Sequence, residues 1–150
     1  RVGYMDRFVI KNERLDLKDV LDFFVLTTND FPDFKEYNFL ENRAKKISDL
    51  ADFVTCRTLT GKLIGMIAFY MNRPPLCYIT HVSLLDGYKG LGLFKRMYVF
   101  LERRVSLNGC MLVKLEVLKN NIYAIKSYCN CGFKIVDNDS DKRFFMIKEI

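Results

Sequence analysis

Residues 86–98 read DGYKGLGLFKRMY, with three glycines in six positions set directly against the start of a long amphipathic pattern. Glycine costs about 1 kcal/mol relative to alanine inside a helix, so Gly87, Gly90 and Gly92 serve the turn and not the helix. Before them, LCYITHVSLL over 76–85 has the density of β-formers expected of a strand. After them, Phe94, Met97, Tyr98, Leu101 and Val105 fall on one helical face, Lys95, Arg96, Glu102 and Arg103 fall elsewhere, and Asn108-Gly109 ends the pattern. A strand that turns through glycines into a helix restricts the chain to architectures in which helices cover a sheet.

The remaining segments fit that restriction. The spacing predicts a first strand over 5–12, a helix over 15–27 built on Leu17, Val20, Leu21 and Phe24, and a second helix over 35–51. Between the helices, TTNDFPDF carries Asn29, Asp30 and Pro32 as breakers. Strands near 53–58 and 62–71 read as a hairpin turning at Thr60-Gly61, and Pro74-Pro75 cannot continue the ladder. MLVKLEVL is a strand, NIYAIKSYCNC a short helix capped by Gly132, and FKIVD with RFFMIKE a closing hairpin around NDSDK. The expected order is β-α-α-β-β-β-α-β-α-β-β, an α/β (α+β) domain over 1–150. Its sheet is mixed and mostly antiparallel, of six or seven strands, with helices on both faces. Met5 reads as the native start.

A glycine-rich turn between strand and helix is a ready anion site, because its N–H groups and the helix N-terminus supply positive charge and no side chain bars the approach. GYKGLG is not a Walker loop, since no Gly-Lys-Ser/Thr follows, and it lacks the G-x-G-x-x-G order of a dinucleotide fold. Charge points the same way. Residues 1–52 hold 9 basic and 11 acidic side chains, a net of −2, and residues 53–150 hold 15 and 7, a net of +8, and the basic second part suits an anionic ligand.

Further along comes LEVLKNNIYAIKSYCNCGF, residues 115–133. With the glycine turn it resembles the GNAT superfamily of acetyl-CoA-dependent N-acetyltransferases. That family's pattern is a strand ending in Val, a Gln/Arg-x-x-Gly-x-Gly/Ala turn, a helix, and then LEV…N-x-x-A…Y…GF. Val82 lies five residues before Gly87, Gly90 and Gly92 fill the small positions, and Leu115, Glu116, Val117, Asn121, Ala124, Tyr128, Gly132 and Phe133 fall in register. The likeness is strong over 62–136. Gly87 departs from it by replacing the leading Gln or Arg, which removes one side-chain contact near the pyrophosphate.

The resemblance implies a GNAT fold and acetyl-CoA as co-substrate, without a metal. It places the pyrophosphate on the amides of Gly87, Tyr88, Lys89, Gly90, Leu91, Gly92 and Leu93, with Lys89, Lys95, Lys119 and Lys126 as candidates for the adenosine-side phosphates. Thr80 and His81 would hold the pantetheine by strand-like pairing, and the Val82 N–H would polarise the thioester carbonyl. Tyr128 would protonate the departing thiolate, and its other reading is a core aromatic. Asn121 would contact the cofactor or a bridging water, and it also suits a helix N-cap. Glu116 is a general base in some relatives and structural in others.

Alternation along the strand sends His81 to the face opposite Thr80 and Val82, where a packed histidine is expected, and puts Tyr78 on the Val82 face, in reach of an acceptor. Asp30 and Phe31, with Asp33 and Phe34, would suit a cationic amine or serve as a core plug with solvated acids. The acceptor reads as a small amine or amino sugar; a protein N-terminus or lysine, or a non-catalytic acetyl-CoA-binding module, are the alternatives.

Half the residues are hydrophobic, enough for a real core. No run of about 18 apolar residues suggests a membrane span, and no segment has signal-peptide layout. The cysteines at 56, 77, 110, 129 and 131 fit neither a disulfide framework nor a zinc site, so a reducing cytoplasm is expected. Basic residues are not interleaved with aromatics as in an RNA-binding motif, so no nucleic-acid partner is expected. A monomer or homodimer is anticipated.

Overall fold

The computed structural model describes residues 7–28, 37–138 and 140–150. Its elements are β1 (Phe8–Asn12), α1 (Leu17–Leu26), α2 (Tyr37–Leu50), β2 (Asp52–Thr58), β3 (Leu63–Arg73), β4 (Leu76–Leu84), α3 (Leu93–Leu107), β5 (Leu112–Leu118), α4 (Ile122–Asn130), β6 (Lys134–Asn138) and β7 (Arg143–Glu149). The order is the one expected from the spacing. The strand β3 runs two residues further than expected, to Arg73, before the prolines turn the chain.

All seven strands form one sheet in the order β1-β2-β3-β4-β5-β7-β6. Every neighbouring pair is antiparallel except β4 and β5. The sheet is therefore two antiparallel blocks, β1 to β4 and β5-β7-β6, joined by one short parallel seam. That seam has four residue pairs, from Leu76↔Leu112 to Ile79↔Leu115. A parallel neighbour needs a crossover connection, which α3 supplies.

Each face carries its own core. On one face α1 and α2 bury Val20, Phe23, Phe24, Leu40, Ala44 and Ile47 against Phe53, Met66 and Ala68. On the other, Leu93, Met97, Tyr98, Leu101 and Val105 of α3 and Tyr128 of α4 pack on Ile67, Phe69, Cys77, Ile79, Val113 and Leu115. Burying one such side chain fully contributes about 1.5–3 kcal/mol, so the amphipathic faces and not the glycine turn hold the helices down. The alternation along β3, with Met66 and Ala68 to one core and Ile67 and Phe69 to the other, makes it the central partition.

Local devices set the helix ends. The Asp16 carboxylate accepts the Asp19 N–H at 2.9 Å and caps α1. The Thr27 hydroxyl donates to the Phe23 carbonyl at 2.9 Å at its far end. A salt bridge of 2.7 Å from Lys148 on β7 to Glu102 on α3 ties the second block of the sheet to the crossover helix. All five cysteines are free, and burial pushes the Cys77 thiol up to about 12 and Cys56 to about 11, which keeps both unreactive. No helix among the described residues is long and apolar enough to cross a membrane.

Candidate active site

The parallel seam ends at Ile79↔Leu115. Beyond it β4 continues to Leu84 with only β3 beside it, while β5 continues to Leu118 with only β7. The strands part there, and Thr80, His81 and Val82 lie on the edge that β5 has left. The same place carries an irregularity in the other ladder. Ala68 pairs with His81, but the next pair is Phe69↔Ile79, so Thr80 is an extra residue on β4. This is a β-bulge, and such a residue re-aims every side chain beyond it.

The bulge corrects the expected faces. Before it, Cys77 and Ile79 face the α3/α4 core, and after it Val82 and Leu84 do. Tyr78, paired with Tyr70, therefore faces the α1/α2 side and does not share the Val82 face. Thr80 reaches Arg43 of α2 and His81 packs on Phe24 of α1, so these two share a face instead of opposing each other. Uninterrupted alternation was the wrong assumption, and the inserted residue is the reason.

On the α1/α2 side the parted strands bring polar groups together. The Tyr78 hydroxyl donates to Glu116 Oε1 at 3.1 Å, from β4 across to β5. One Arg43 nitrogen donates to the Thr80 carbonyl at 2.7 Å and to its hydroxyl at 3.0 Å. The carbonyl at the bulge thus has a side-chain donor. Burial lowers the Arg43 pKa, with Tyr70, Tyr78 and Glu116 opposing the shift and Arg143 adding to it. The Tyr70 hydroxyl is buried beside this group without a hydrogen-bond partner among the described residues. His81 sits deeper, 4% exposed, with Nε2 3.1 Å from Ser83 Oγ and its ring 4.4 Å from that of Phe24. Burial, with Arg43 adding, pushes its pKa down to about 3, so the imidazole is neutral at ordinary pH.

The glycine turn lies between β4 and α3. Gly87, Gly90 and Gly92 have φ of +88°, +79° and +75°, values that favour glycine over any other residue. A methyl group added at any of the three would meet no atom within 4 Å, so the turn presents bare backbone to open space. Between them Tyr88 and Leu91 pack on the core, and Leu93 is buried. Tyr88 also meets the Phe8 ring edge-on at 6.1 Å. Gly92 begins α3 with no side-chain cap, which leaves first-turn amides for a ligand. Lys89 pairs with Asp86 at 3.4 Å. The donors and the open space fit a phosphate-bearing cofactor such as coenzyme A.

The helix α4 faces the turn. Asn121 caps it, its side chain accepting the Ala124 N–H at 3.2 Å. Tyr128 is 7% exposed, its ring 5.4 Å from Phe94 and 6.0 Å from Phe133. Burial, with Cys131 adding, pushes its phenol well above the ordinary value, so it stays protonated. The segment after Tyr128 explains the Y…GF spacing. The Phe133 N–H donates to the Tyr128 carbonyl at 3.1 Å and the Gly132 N–H to the Cys129 carbonyl at 2.9 Å, with Gly132 at φ +97°. This is a Schellman motif whose hydrophobic contact is the Tyr128–Phe133 pair.

Of the sequence candidates, Tyr78 and Glu116 are in contact, Thr80, His81 and Val82 line the parted edge, and residues 87–93 form the turn. Asp30 and Phe31 lie outside the described residues, as do Asp33 and Phe34. Sequence reasoning missed Arg43, Tyr70, Arg143 and Tyr123. Arg43 meets Thr80 from 37 positions away, and the Gly90 N–H donates to the Tyr123 hydroxyl from 33. Neither pair carries a local signal. Among the described residues no group of His, Cys, Asp and Glu is placed to hold a metal.

Comparison with known proteins bears on this geometry. The model of the acetyltransferase (GNAT) family matches residues 18–133. The fold is similar to that of the PaiA N-acetyltransferase from Thermoplasma acidophilum, solved with coenzyme A, at TM-score 0.73 and 17% identity over 95% of this chain and 99% of that one. It is similar to the ribosomal-protein-S18-alanine N-acetyltransferase from Escherichia coli, at TM-score 0.71 and 16% identity over 95% and 94%. Ard1 from Thermoplasma volcanium gives TM-score 0.73 and 15% identity over 94% and 97%. The comparison with curated protein sequences gives no match. A glycine turn open to space, parted β4 and β5 strands and a family model spanning most of the sequence converge: the chain belongs to the acetyltransferase (GNAT) family of acetyl-CoA-dependent enzymes.

Proposed function

We propose that this chain, as one catalytic domain, acetylates a primary amine by direct attack within a ternary complex, and that the acceptor is a small amine or amino sugar. The parting of β4 from β5 beyond Ile79 and Leu115 carries the reading, because it opens both faces of the sheet to one point. Acetyl-CoA, when bound, supplies an activated acetyl thioester.

In this reading the turn of residues 87–93 holds the pyrophosphate through those of its amides that are not already bonded to Leu85 or Tyr123, and Asn121 adds a contact from the α4 terminus. Thr80 and His81 offer strand-like backbone bonds to the pantetheine, and the Val82 N–H polarises the thioester carbonyl. Glu116, held by Tyr78, accepts the proton that the amine loses as its nitrogen bonds the acetyl carbon, directly or through a water. Tyr128 gives its hydroxyl proton to the sulfur as the carbon–sulfur bond breaks, and recovers one from solvent. Glu116 faces the α1/α2 side, whereas Tyr128 belongs to the opposite core, so the amine enters from one face and the sulfur departs toward the other. The neutral His81 is a packing residue.

Calorimetric titration with acetyl-CoA, followed by a free-thiol assay over a panel of amines, tests this. Binding with thiol release for small amines is the expected result. Release only with peptides would replace the acceptor class, and binding without release would remove the enzyme reading. Tyr128→Phe should lower kcat by about 100-fold and leave coenzyme A affinity unchanged; equal turnover would remove the donor role.

A further inference from the structure

A Cβ at Gly90 would stand in open space, yet the Gly90 N–H is bonded: it donates to the Tyr123 hydroxyl at 3.0 Å. Tyr123 comes from the first turn of α4, across the space between that helix and the turn, and is 54% exposed. A side chain ordinarily left to solvent is here held to the glycine turn through its hydroxyl. Gly87, Gly90 and Gly92 bring only backbone donors, and Lys89 is drawn to Asp86 at 3.4 Å.

A tyrosine hydroxyl has one hydrogen and two acceptor lone pairs. With one lone pair taken by the Gly90 N–H, its own hydrogen stays available on the side facing away from the amide. The donation from Gly90 also polarises the hydroxyl and makes it a better donor. An anion seated on the turn beside Gly90 would lie within reach of this O–H. The position on α4 gives the contact a second consequence, since Asn121 fixes the start of that helix and Tyr128 lies five residues further along it. A phosphate held by Tyr123 is thereby tied to the helix that carries the buried tyrosine.

We infer that Tyr123 is part of the cofactor cradle: its hydroxyl accepts the Gly90 N–H and donates to a pyrophosphate oxygen, the side-chain contact that Gly87 cannot make. The inference rests on the proposed placement of coenzyme A. It adds a specificity-determining group for the diphosphate and assigns Tyr123 no part in the chemistry.

The test is calorimetric titration of the wild-type chain and of Tyr123→Phe with coenzyme A and with pantetheine, which has the thiol arm but no phosphate. A hydrogen bond to a charged oxygen at a half-exposed site predicts coenzyme A binding about tenfold weaker in the variant. Pantetheine binding should be the same in both. Unchanged coenzyme A affinity would overturn the inference, as would tighter binding, which would mean that the hydroxyl blocks an amide the phosphate needs. Equal weakening for both ligands would overturn it too, by showing that Tyr123 merely shapes the turn. Failure of the wild-type chain to bind coenzyme A would instead bring down the cofactor placement, and this inference with it.

Discussion

The residues at the site divide by whether their neighbours lie near them in sequence. Tyr128, Gly132 and Phe133 form one local motif, and their spacing alone announces a helix end with an aromatic contact. The glycines of the turn are legible for the same reason, since a left-handed backbone restricts what residue can stand there. Arg43 and Tyr123 are not legible, because each finds its partner more than thirty positions away and any long polar side chain could have done so. His81 lies between these cases. A lone histidine on the strand beside the candidate site invites a proton-relay role; the sequence already favours a packed histidine, and burial against Phe24 bears that out. Its folded pKa is depressed from the unfolded 6.5 to about 3, so the unfolded chain binds the proton more readily. The stabilisation is complete above about pH 6.5 and is lost as pH falls from there toward 3, at up to about 1.4 kcal/mol per pH unit. His81→Gln keeps a hydrogen-bonding group for Ser83 and does not titrate. Urea unfolding at several pH values should therefore show the wild-type chain losing stability faster than the variant between pH 6 and 4. Parallel curves would show that His81 is not buried neutral.

At the scale of elements, the order of strands and helices follows from hydrophobic period, and the structure agrees from the first hairpin to the last. What period cannot reveal is a residue that drops out of it. Thr80 is such a residue, and the run LCYITHVSL from 76 to 84 conceals it because both faces of the sheet are covered and both accept apolar side chains. The placement of Tyr78 beside Glu116 follows from that one insertion. The short helix α4 depends on its ends more than on its length, since nine residues are marginal for a helix in water. Asn121→Ala removes the cap and should cost about 1 kcal/mol. Gly132→Ala forces a side chain into φ +97° and toward the Lys148 Cε, 3.1 Å from where its methyl would stand, and should cost at least as much. Denaturant unfolding of the two variants checks both. Wild-type stability in either would mean that α4 is held by its buried face alone.

The whole molecule is two antiparallel blocks hinged on four residue pairs, with the candidate cofactor site at the end of that seam. A ligand that touches the turn, β4 and α4 bridges both blocks and binds only when they are assembled. At about 100 times its Kd, acetyl-CoA should add about 2.7 kcal/mol of stability and raise Tm by about 5–10 °C, measurable by calorimetry. A fixed Tm at saturating ligand would contradict the bridging placement. The same topology governs how the chain is made. β7 leaves the ribosome after both strands it must join, yet it lies between them. Until it emerges, β5 and β6 have no partner on their facing edges, and a nascent chain carries an open strand edge until β7 is made. Messages cut short before the codon for Arg143 would yield a product with that edge permanently bare, a substrate for quality control instead of a partly active enzyme.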